Sequence, residues 1–259
     1  MPDALPVRRP PPLLRRVTVV DVQDRSPRLR SVRLRGELTG YEGALPAAST
    51  RLLLPRDGAL ELPTWDGNLF LHADGSRALL RTLTPLRPTP GEVSVEVVRH
   101  GDGPLSAWAT EIEVGAQAAL SGPGRGYAID PAAGSIVLAG DESALPAIGQ
   151  LLAALPRSAD VRALVEVADA TGELDLGPRA TWLVSGPDAP PGEALVAALV
   201  QATIEPDTRV WAAGEAAAMQ RIRTHLFDGV GLPRSHGSVR GYWKARRTFQ
   251  GVDRGEHLG

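Results

Sequence analysis

The stretch "SIVLAGDESALPAIGQLLAAL", residues 135–155, decides the fold of this chain. It opens with an unbroken apolar run and continues into a segment in which Leu, Ile and Ala recur at helical spacing. A strand that is apolar on both faces is typical of a parallel sheet covered by helices. The same alternation follows in "VRALVEVAD", "ATWLVSG", "GEALVAALVQA", "TRVWAAG" and "EAAAMQRIRTHLFDG". Residues 131–259 are therefore predicted to form an α/β domain.

The preceding part of the chain has a different pattern. Between residues 14 and 121, short segments rich in Val, Leu and Thr, such as "RLRSVRLRG" and "EVSVEVVRH", are separated by Gly and Pro. Many short strands without intervening helices predict a closed antiparallel barrel. The sequence thus predicts a flexible arm at 1–13, a β-barrel domain at 14–130 and the α/β domain after it.

Composition excludes several classes of function. The chain has 259 residues and a formal net charge of −2, which gives no electrostatic reason to expect a nucleic-acid partner. It contains no cysteine, so disulfides, thiol nucleophiles and iron–sulfur clusters are excluded, and its 5 histidines show no metal-binding spacing. No stretch has the length and apolarity of a signal peptide or a membrane span. We expect a cytoplasmic protein, monomeric or weakly dimeric.

The turn after the first strand of the α/β domain, "LAGDESALPAI" at 138–148, lacks the phosphate-binding GxGxxG pattern. It has one glycine, Gly140, followed by Asp141 and Glu142, and two carboxylates would repel a pyrophosphate. If a dinucleotide binds here, this turn is expected to face the nicotinamide and its ribose. A capped helix start with solvated acids is the alternative.

The stretch "RHGDGPLSAWA", residues 99–109, also has two interpretations. Gly101, Gly103 and Pro104 break the preceding strand, and Ser106 is in a position to cap a short helix. One interpretation is a structural connection with a buried Trp108. The other is a loop that brings bare backbone N–H groups close to an anion.

Four stretches in this order, "RHGDGPLSAWA", "LAGDESALPAI", "VWAAGEAAAMQRIRTHL" and "GYWKA", resemble the siderophore-interacting protein family. These are flavin-dependent ferric-siderophore reductases built on the ferredoxin-reductase plan. The resemblance spans about residues 14–247. It implies an FAD-binding barrel, an NAD(P)H-binding α/β domain, and a carboxyl-terminal segment that returns to the flavin site. The implied reaction passes electrons from NADH or NADPH through FAD to a ferric siderophore and releases Fe(II).

The resemblance also implies a set of cofactor residues. In "RTLTPLR", Arg81 would pair with the flavin phosphates and Thr84 would bind the ring, whereas Leu83 stands where the family has tyrosine. His100 would lie beside the flavin, and the turn that follows would meet the pyrophosphate. Trp243 either closes over the flavin site together with Tyr242 or anchors the last strand. The remaining predicted cofactor-binding residues are Gly103, Pro104, Leu105, Ser106, Gly140, Asp141, Glu142, Ser143, Gly214 and Glu215.

Substrate and donor preferences stay open at this point. Arg51, Arg125 and Lys244 are the implied substrate-binding set, because basic residues attract anionic ferric complexes. Glu166 is a candidate partner for the ribose of NADH, and Arg162 or Arg179 for the 2′-phosphate of NADPH. The alternative function is a flavin-poor relative that only binds a siderophore or another ligand. A hydrolase built on Ser143 is disfavoured, since "GDESA" lacks the second glycine of a nucleophile elbow.

Overall fold

Two six-stranded sheets follow one another along the chain, the first antiparallel and the second mainly parallel. The computed structural model describes residues 12–248 and 251–257, except residues 57, 102 and 187, and it describes side chains as far as residue 245. Most of the predicted arm, residues 1–11, lies outside the described residues.

The first sheet has the strand order β6-β3-β8-β1-β2-β7. Its strands are β1 (Leu14–Asp24), β2 (Leu29–Gly36), β3 (Thr50–Leu53), β6 (Leu80–Leu83), β7 (Glu92–Val98) and β8 (Gln117–Ser121), and the short β4 (Thr64–Trp65) and β5 (Phe70–Leu71) form a separate ribbon. The two edges approach each other just beyond β6. There the backbone N–H of Leu86 donates to Ser94 at 2.7 Å, and the N–H of Ser94 donates back at 2.9 Å. This bridge closes the sheet into a barrel.

Alternating side chains fill the barrel, as β2 shows. Val32 and Leu34 are buried, whereas Arg33 and Arg35 between and after them are exposed. Helix α1 (Pro104–Glu111) covers the barrel with Leu105 and Ala109, and half-buried Trp108 packs against the same core. The helix begins at Pro104 with Gly103 as its N-cap residue, so the expectation that Ser106 caps it is wrong. Proline suits the first position because its missing N–H would have no partner there.

The second sheet has the order β11-β10-β9-β12-β13-β14. Its elements are β9 (Ile136–Asp141), α2 (Leu145–Ala154), β10 (Val161–Val167), β11 (Ala180–Val184), α3 (Glu193–Gln201), β12 (Arg209–Glu215), α4 (Ala216–Thr224), β13 (Gly237–Thr248) and β14 (Gly251–His257). Strands β9 to β13 run parallel, and β14 pairs antiparallel with β13. The chain leaves β9 toward β10 on one side and later returns to β12 on the other, which places a topological switch point between β9 and β12.

The apolar run of β9 serves two cores at once. Ile136 and Leu138 pack in the cluster that contains α2, while Val137 and Ala139 pack in the cluster that contains α3 and α4. All six residues of the strand are buried. The predicted fold class, a β-barrel followed by an α/β domain, is confirmed, and the physical reason is the one the sequence indicated.

The two sheets share an interface. Leu29, Ala47 and Val98 from the barrel belong to the same buried cluster as α2. The side chain of Gln150 on α2 accepts a hydrogen bond from the N–H of Ala47 at 3.0 Å and donates to the carbonyl of Pro85 at 2.8 Å. These contacts hold the middle of α2 against the segments just before β3 and just after β6. Within the described residues, no helix is long and apolar enough to cross a bilayer.

Candidate functional site

A cavity of about 200 Å³ lies where the barrel meets the α/β sheet. The barrel contributes the end of β6 and the segment before β3, and the α/β sheet contributes the start of α2 and part of β13. The residues that line the cavity are Ala47, Ala48, Ser49, Thr82, Leu83, Thr84, Glu96, Val98, Ser143, Pro146, Arg240, Gly241 and Tyr242. Residues from both halves of the chain therefore form one site.

The walls of this cavity suit a flat heterocycle. Leu83, Val98 and Pro146 provide aliphatic surface, and the hydroxyls of Thr84 and Ser49 can hydrogen-bond ring nitrogens and carbonyls. Thr84 is buried and makes a side-chain hydrogen bond to Tyr242. Burial raises the pKa of Tyr242, so this hydroxyl stays protonated at neutral pH. The cavity thus fits the ring system of a flavin, and Leu83, at the tyrosine position of the family motif, forms an aliphatic part of its wall.

The residues predicted to meet the phosphates lie on α1 and on β6, and Leu105, Ser106 and Arg81 do not line either cavity. Leu105 and Ser106 are buried within the first turn of the helix, which leaves their backbone N–H groups, rather than the Leu105 side chain, to meet an anion. Arg81 lies on β6 beside Leu52 of β3 and donates to the carbonyl of Leu80 at 3.0 Å. Contacts of these residues with FAD remain a prediction.

Asp141 is the centre of a buried hydrogen-bond network at the end of β9. One carboxylate oxygen accepts from the N–H and hydroxyl of Ser143, at 2.9 and 2.5 Å. The other accepts from the N–H of Glu215 at 2.9 Å and from the indole N–H of Trp243 at 2.8 Å. Burial raises the pKa of Asp141, and the hydrogen bonds oppose that rise. The expected alternative of two solvated acids is therefore wrong for Asp141, and its carboxylate is occupied by protein donors rather than free for a nicotinamide.

Two of the predicted cofactor-binding residues, Gly140 and Gly214, lie where any side chain would clash with its neighbours. A Cβ on Gly140 would lie 2.5 Å from the Cβ of Ala144, and one on Gly214 would lie 2.6 Å from the carboxylate of Asp141. Glu215 is likewise used by the fold, because its carboxylate accepts from the N–H of Ala218 at 2.9 Å and of Ala245 at 3.2 Å. These residues position β9, β12 and β13 against one another.

Trp243 connects the network to the barrel. Its ring centroid lies 5.3 Å from that of His100, and the two rings are tilted by 41°. A second link to the barrel comes from Glu142, which follows Asp141 in the turn after β9 and accepts a hydrogen bond from Arg28 of the barrel at 2.7 Å. Of the two proposed roles of Trp243, anchoring β13 is the one for which the structure provides contacts. Tyr242 is the residue of this pair that lines the cavity.

A second, smaller cavity of about 40 Å³ adjoins the first at the carboxyl edge of the parallel sheet. His100, Glu142, Ser143, Glu166, Ser185 and Trp243 are among its lining residues. The carboxylate of Glu166 accepts hydrogen bonds from the N–H of Gly192 at 2.7 Å and of Leu195 at 2.8 Å. Glu166 therefore caps the start of α3, and these bonds compete with its predicted role as a partner of the ribose. This edge is the position at which open α/β sheets bind nucleotides.

The predicted basic set does not line either cavity. Arg51, Arg125 and Lys244 are all exposed. Arg51 and Arg125 lie on neighbouring segments, because the N–H of Gly124 donates to the carbonyl of Ser49 at 2.6 Å. The cation on the cavity wall is Arg240, which sequence analysis missed. Its only sequence signal is its position immediately before "GYWKA".

Other residues of the site also escaped prediction. Ser49, Glu96 and Pro146 line the first cavity, and Arg28 is hydrogen-bonded to Glu142 of the second cavity. Pro146 lies within "LAGDESALPAI" but was not singled out, and the other three lie outside the recognised motifs. Burial raises the pKa of Glu96, although Arg25 and Arg87 lie close enough to oppose that rise. Among the described residues, no group of His, Asp and Glu is arranged to hold a metal ion.

Comparison with known proteins identifies both halves of the chain. Residues 18–127 match the model of a siderophore-interacting FAD-binding domain, and residues 133–246 match the model of siderophore-interacting protein. A siderophore utilization protein from T. fusca is 33% identical and superposes with a TM-score of 0.79, covering 91% of this chain and 94% of that one.

Other similarities agree with the same fold and family. The ferric vibriobactin reductase ViuB of Vibrio cholerae is 31% identical over 63% of this chain and 64% of the relative. The chain spans 61% of the length of uncharacterised mycobacterial relatives at 36% identity. A ferredoxin reductase of carbazole 1,9a-dioxygenase, 19% identical, covers 90% of this chain and 69% of that one with a TM-score of 0.64, which confirms the ferredoxin-reductase-like fold.

Proposed function

Because the chain belongs to the siderophore-interacting protein family, we propose that it is an NAD(P)H-dependent oxidoreductase that uses FAD to reduce ferric siderophores. The observation that carries this proposal is the cavity between the end of β6 and β13, with aliphatic walls and the hydrogen-bonded hydroxyls of Thr84 and Tyr242. The similarity to a protein named as a ferric vibriobactin reductase supports the same reaction.

Different residues would bind the ring system and the phosphates of FAD. Leu83, Val98 and Pro146 would pack on the isoalloxazine, and Thr84 would hydrogen-bond its edge. The first turn of α1 would meet the phosphates with its backbone N–H groups, and Arg81 would pair with them. Held there, FAD would supply the conversion of a two-electron hydride donor into one-electron transfers, so that one NAD(P)H would serve two Fe(III) complexes.

The second cavity, which adjoins this site, is where we propose that the donor binds. Trp243 and His100 line it together with Ser143, which also lines the first cavity. A nicotinamide that binds at the carboxyl edge of β9 would therefore approach the flavin cavity near Ser143. The Asp141 network fixes Ser143 and Trp243 in position, and this is the role we assign to the buried carboxylate.

The acceptor side is expected to attract an anionic iron complex. Arg240 provides positive charge on the cavity wall, and Arg51, Arg125 and Lys244 are candidates for an outer basic rim. Fe(II) binds hard oxygen donors more weakly than Fe(III), so reduction lets the siderophore release its metal.

Anaerobic spectroscopy of the purified protein tests the proposal. We expect a flavin spectrum that bleaches on addition of NADH or NADPH and returns when a ferric siderophore is added. Arg81→Ala should weaken FAD binding by about 10–100-fold if a charge-assisted hydrogen bond to phosphate is lost, whereas Arg77→Ala, at an exposed arginine four positions earlier, should not. A bound flavin that neither dinucleotide reduces would refute the reductase assignment.

A flavin-poor binding protein is the second candidate, and Leu83 is the residue that favours it. This buried aliphatic side chain offers no aromatic face on which an isoalloxazine could stack. The two candidates separate in the same experiment, because a binding protein would be isolated colourless, would take up no FAD and would still bind a ferric siderophore.

A further inference from the structure

The charged residues at the carboxyl edge of the parallel sheet bear on which dinucleotide, NADH or NADPH, binds there. This inference rests on the proposed function, in which a pyridine dinucleotide is the electron donor. NADPH differs from NADH only in a phosphate on the adenosine ribose. The charges at the ends of β10 and β11 therefore decide whether that phosphate is tolerated.

An exposed carboxylate lies at the end of β10. Asp169 follows the strand by two residues, and its side chain is 53% exposed. One of its oxygens accepts from the N–H of Thr171 at 2.9 Å and from the Thr171 hydroxyl, which caps the turn that follows. These hydrogen bonds hold the pKa of Asp169 below its ordinary value, so the group is an anion at neutral pH. Its other oxygen lies 3.6 Å from the guanidinium of Arg28.

The two arginines that sequence analysis proposed as partners of a 2′-phosphate lie at the amino-terminal edge of the sheet, opposite the nucleotide edge. Arg162 is the second residue of β10 and donates to the carbonyl of Thr203 at 2.7 Å. Arg179 directly precedes β11 and donates to the carbonyl of Leu152 at 2.7 Å. Parallel strands place these amino-terminal positions a full strand length away from the nucleotide edge. The expectation that either arginine serves a 2′-phosphate is therefore wrong.

The nearest cation at the correct edge is already held by two acids. Arg28, from the barrel, donates to Glu142 at 2.7 Å and lies 3.6 Å from Asp169. A 2′-phosphate would have to draw Arg28 away from both carboxylates. Asp188, exposed and four residues beyond the end of β11, adds further negative charge to this edge.

We propose that this protein selects NADH over NADPH and that Asp169 is the residue that decides the selection. The carboxylate oxygen that does not cap the turn accepts a hydrogen bond from the 2′-hydroxyl of the adenosine ribose beside its ion pair with Arg28. The negative charges of Asp169, Glu142 and Asp188 together repel a 2′-phosphate. Asp169 thus takes the role that sequence analysis gave to Glu166, which is used to cap α3.

Binding of the oxidised dinucleotides tests this selection without turnover. Calorimetric titration of the flavin-loaded protein with NAD⁺ and NADP⁺ should show that NAD⁺ binds at least about tenfold more tightly, because like charges in one site oppose binding. Asp169→Asn should reduce that ratio to about threefold or less, since the amide removes the repulsion while asparagine still caps the turn. Asp175→Asn, an exposed aspartate in the same β10–β11 connection, is the matched control and should keep the wild-type ratio.

The outcomes separate this inference from the proposed function. Equal or tighter binding of NADP⁺ by the wild-type protein overturns the selection of NADH while leaving the reductase assignment in place. A wild-type preference for NAD⁺ that Asp169→Asn leaves unchanged overturns the role of Asp169. If neither dinucleotide binds, both the inference and the donor in the proposed function are wrong.

Discussion

Replacing Asp141 with asparagine is expected to lower the free energy of unfolding by about 2–4 kcal/mol. Each of its two carboxylate oxygens accepts two hydrogen bonds, from Ser143 on one side and from Glu215 and Trp243 on the other. Asparagine keeps one oxygen and turns an NH₂ group toward two donors. Two hydrogen bonds to a charged group are lost at about 1.5–3 kcal/mol each, and relief of the buried charge returns about 1–2 kcal/mol.

Urea unfolding followed by tryptophan fluorescence measures this loss, because Trp211 and Trp243 are both buried in the α/β domain. Asp160→Asn, at an exposed aspartate just before β10, is the control and should change stability by less than about 0.5 kcal/mol. A double-mutant cycle with Trp243→Phe should give a coupling energy of about 1–2 kcal/mol, since the indole N–H is one of the four donors.

A loss below about 1 kcal/mol for Asp141→Asn would refute the reasoning, because a group with four internal donors could not then be central to this edge of the sheet. A full loss without coupling to Trp243 would contradict the hydrogen bond between them while leaving the other three in place.

Three further predictions concern residues around the cavity. Glu96→Gln should stabilise the protein increasingly as the pH rises above the ordinary Glu pKa of about 4, because burial raises the pKa of Glu96 and its ionisation then costs the folded state more than the unfolded one. A pH-independent difference in urea unfolding would contradict this. Gln150→Ala should lower the free energy of unfolding by about 2 kcal/mol, because the two hydrogen bonds to Ala47 and Pro85 are lost. Urea unfolding measures this loss, and Gln201→Ala, at an exposed glutamine, is the control. Arg240→Ala should slow reduction of an anionic ferric chelate more than of a neutral one, with a difference that shrinks in high salt; equal losses would make Arg240 part of the wall only.

Sequence analysis predicted the architecture well because the relevant signals are local. The apolar run of β9 and the alternation of buried and exposed residues in β2 reflect strand geometry, which acts over neighbouring positions. The start of α1 was predicted less well. Ser106 is a good capping residue by type, yet Pro104 fits the first helical position and so the helix starts before it.

Predictions about individual side chains failed where a distant segment competed for the same atoms. Glu166 follows the apolar part of β10 and has the right chemistry for a ribose, but α3 returns 26 residues later and places two N–H groups on its carboxylate. Arg162 and Arg179 have the right charge for a phosphate, but the direction of the strands puts them at the wrong edge of the sheet.

The amino-acid sequence by itself determined the order of barrel and α/β sheet, the faces of the strands and the family, because periodicity and short motifs depend on residues close together in the chain. Only the tertiary structure decided which of the predicted groups can meet a ligand. Asp141 is bound by Glu215 and Trp243, 74 and 102 residues away, and Arg240 reaches the cavity because β13 pairs with β12 beside the barrel. Such partners are set by how the sheets pack, and burial then decides whether a polar group binds the protein itself or is free to bind something else.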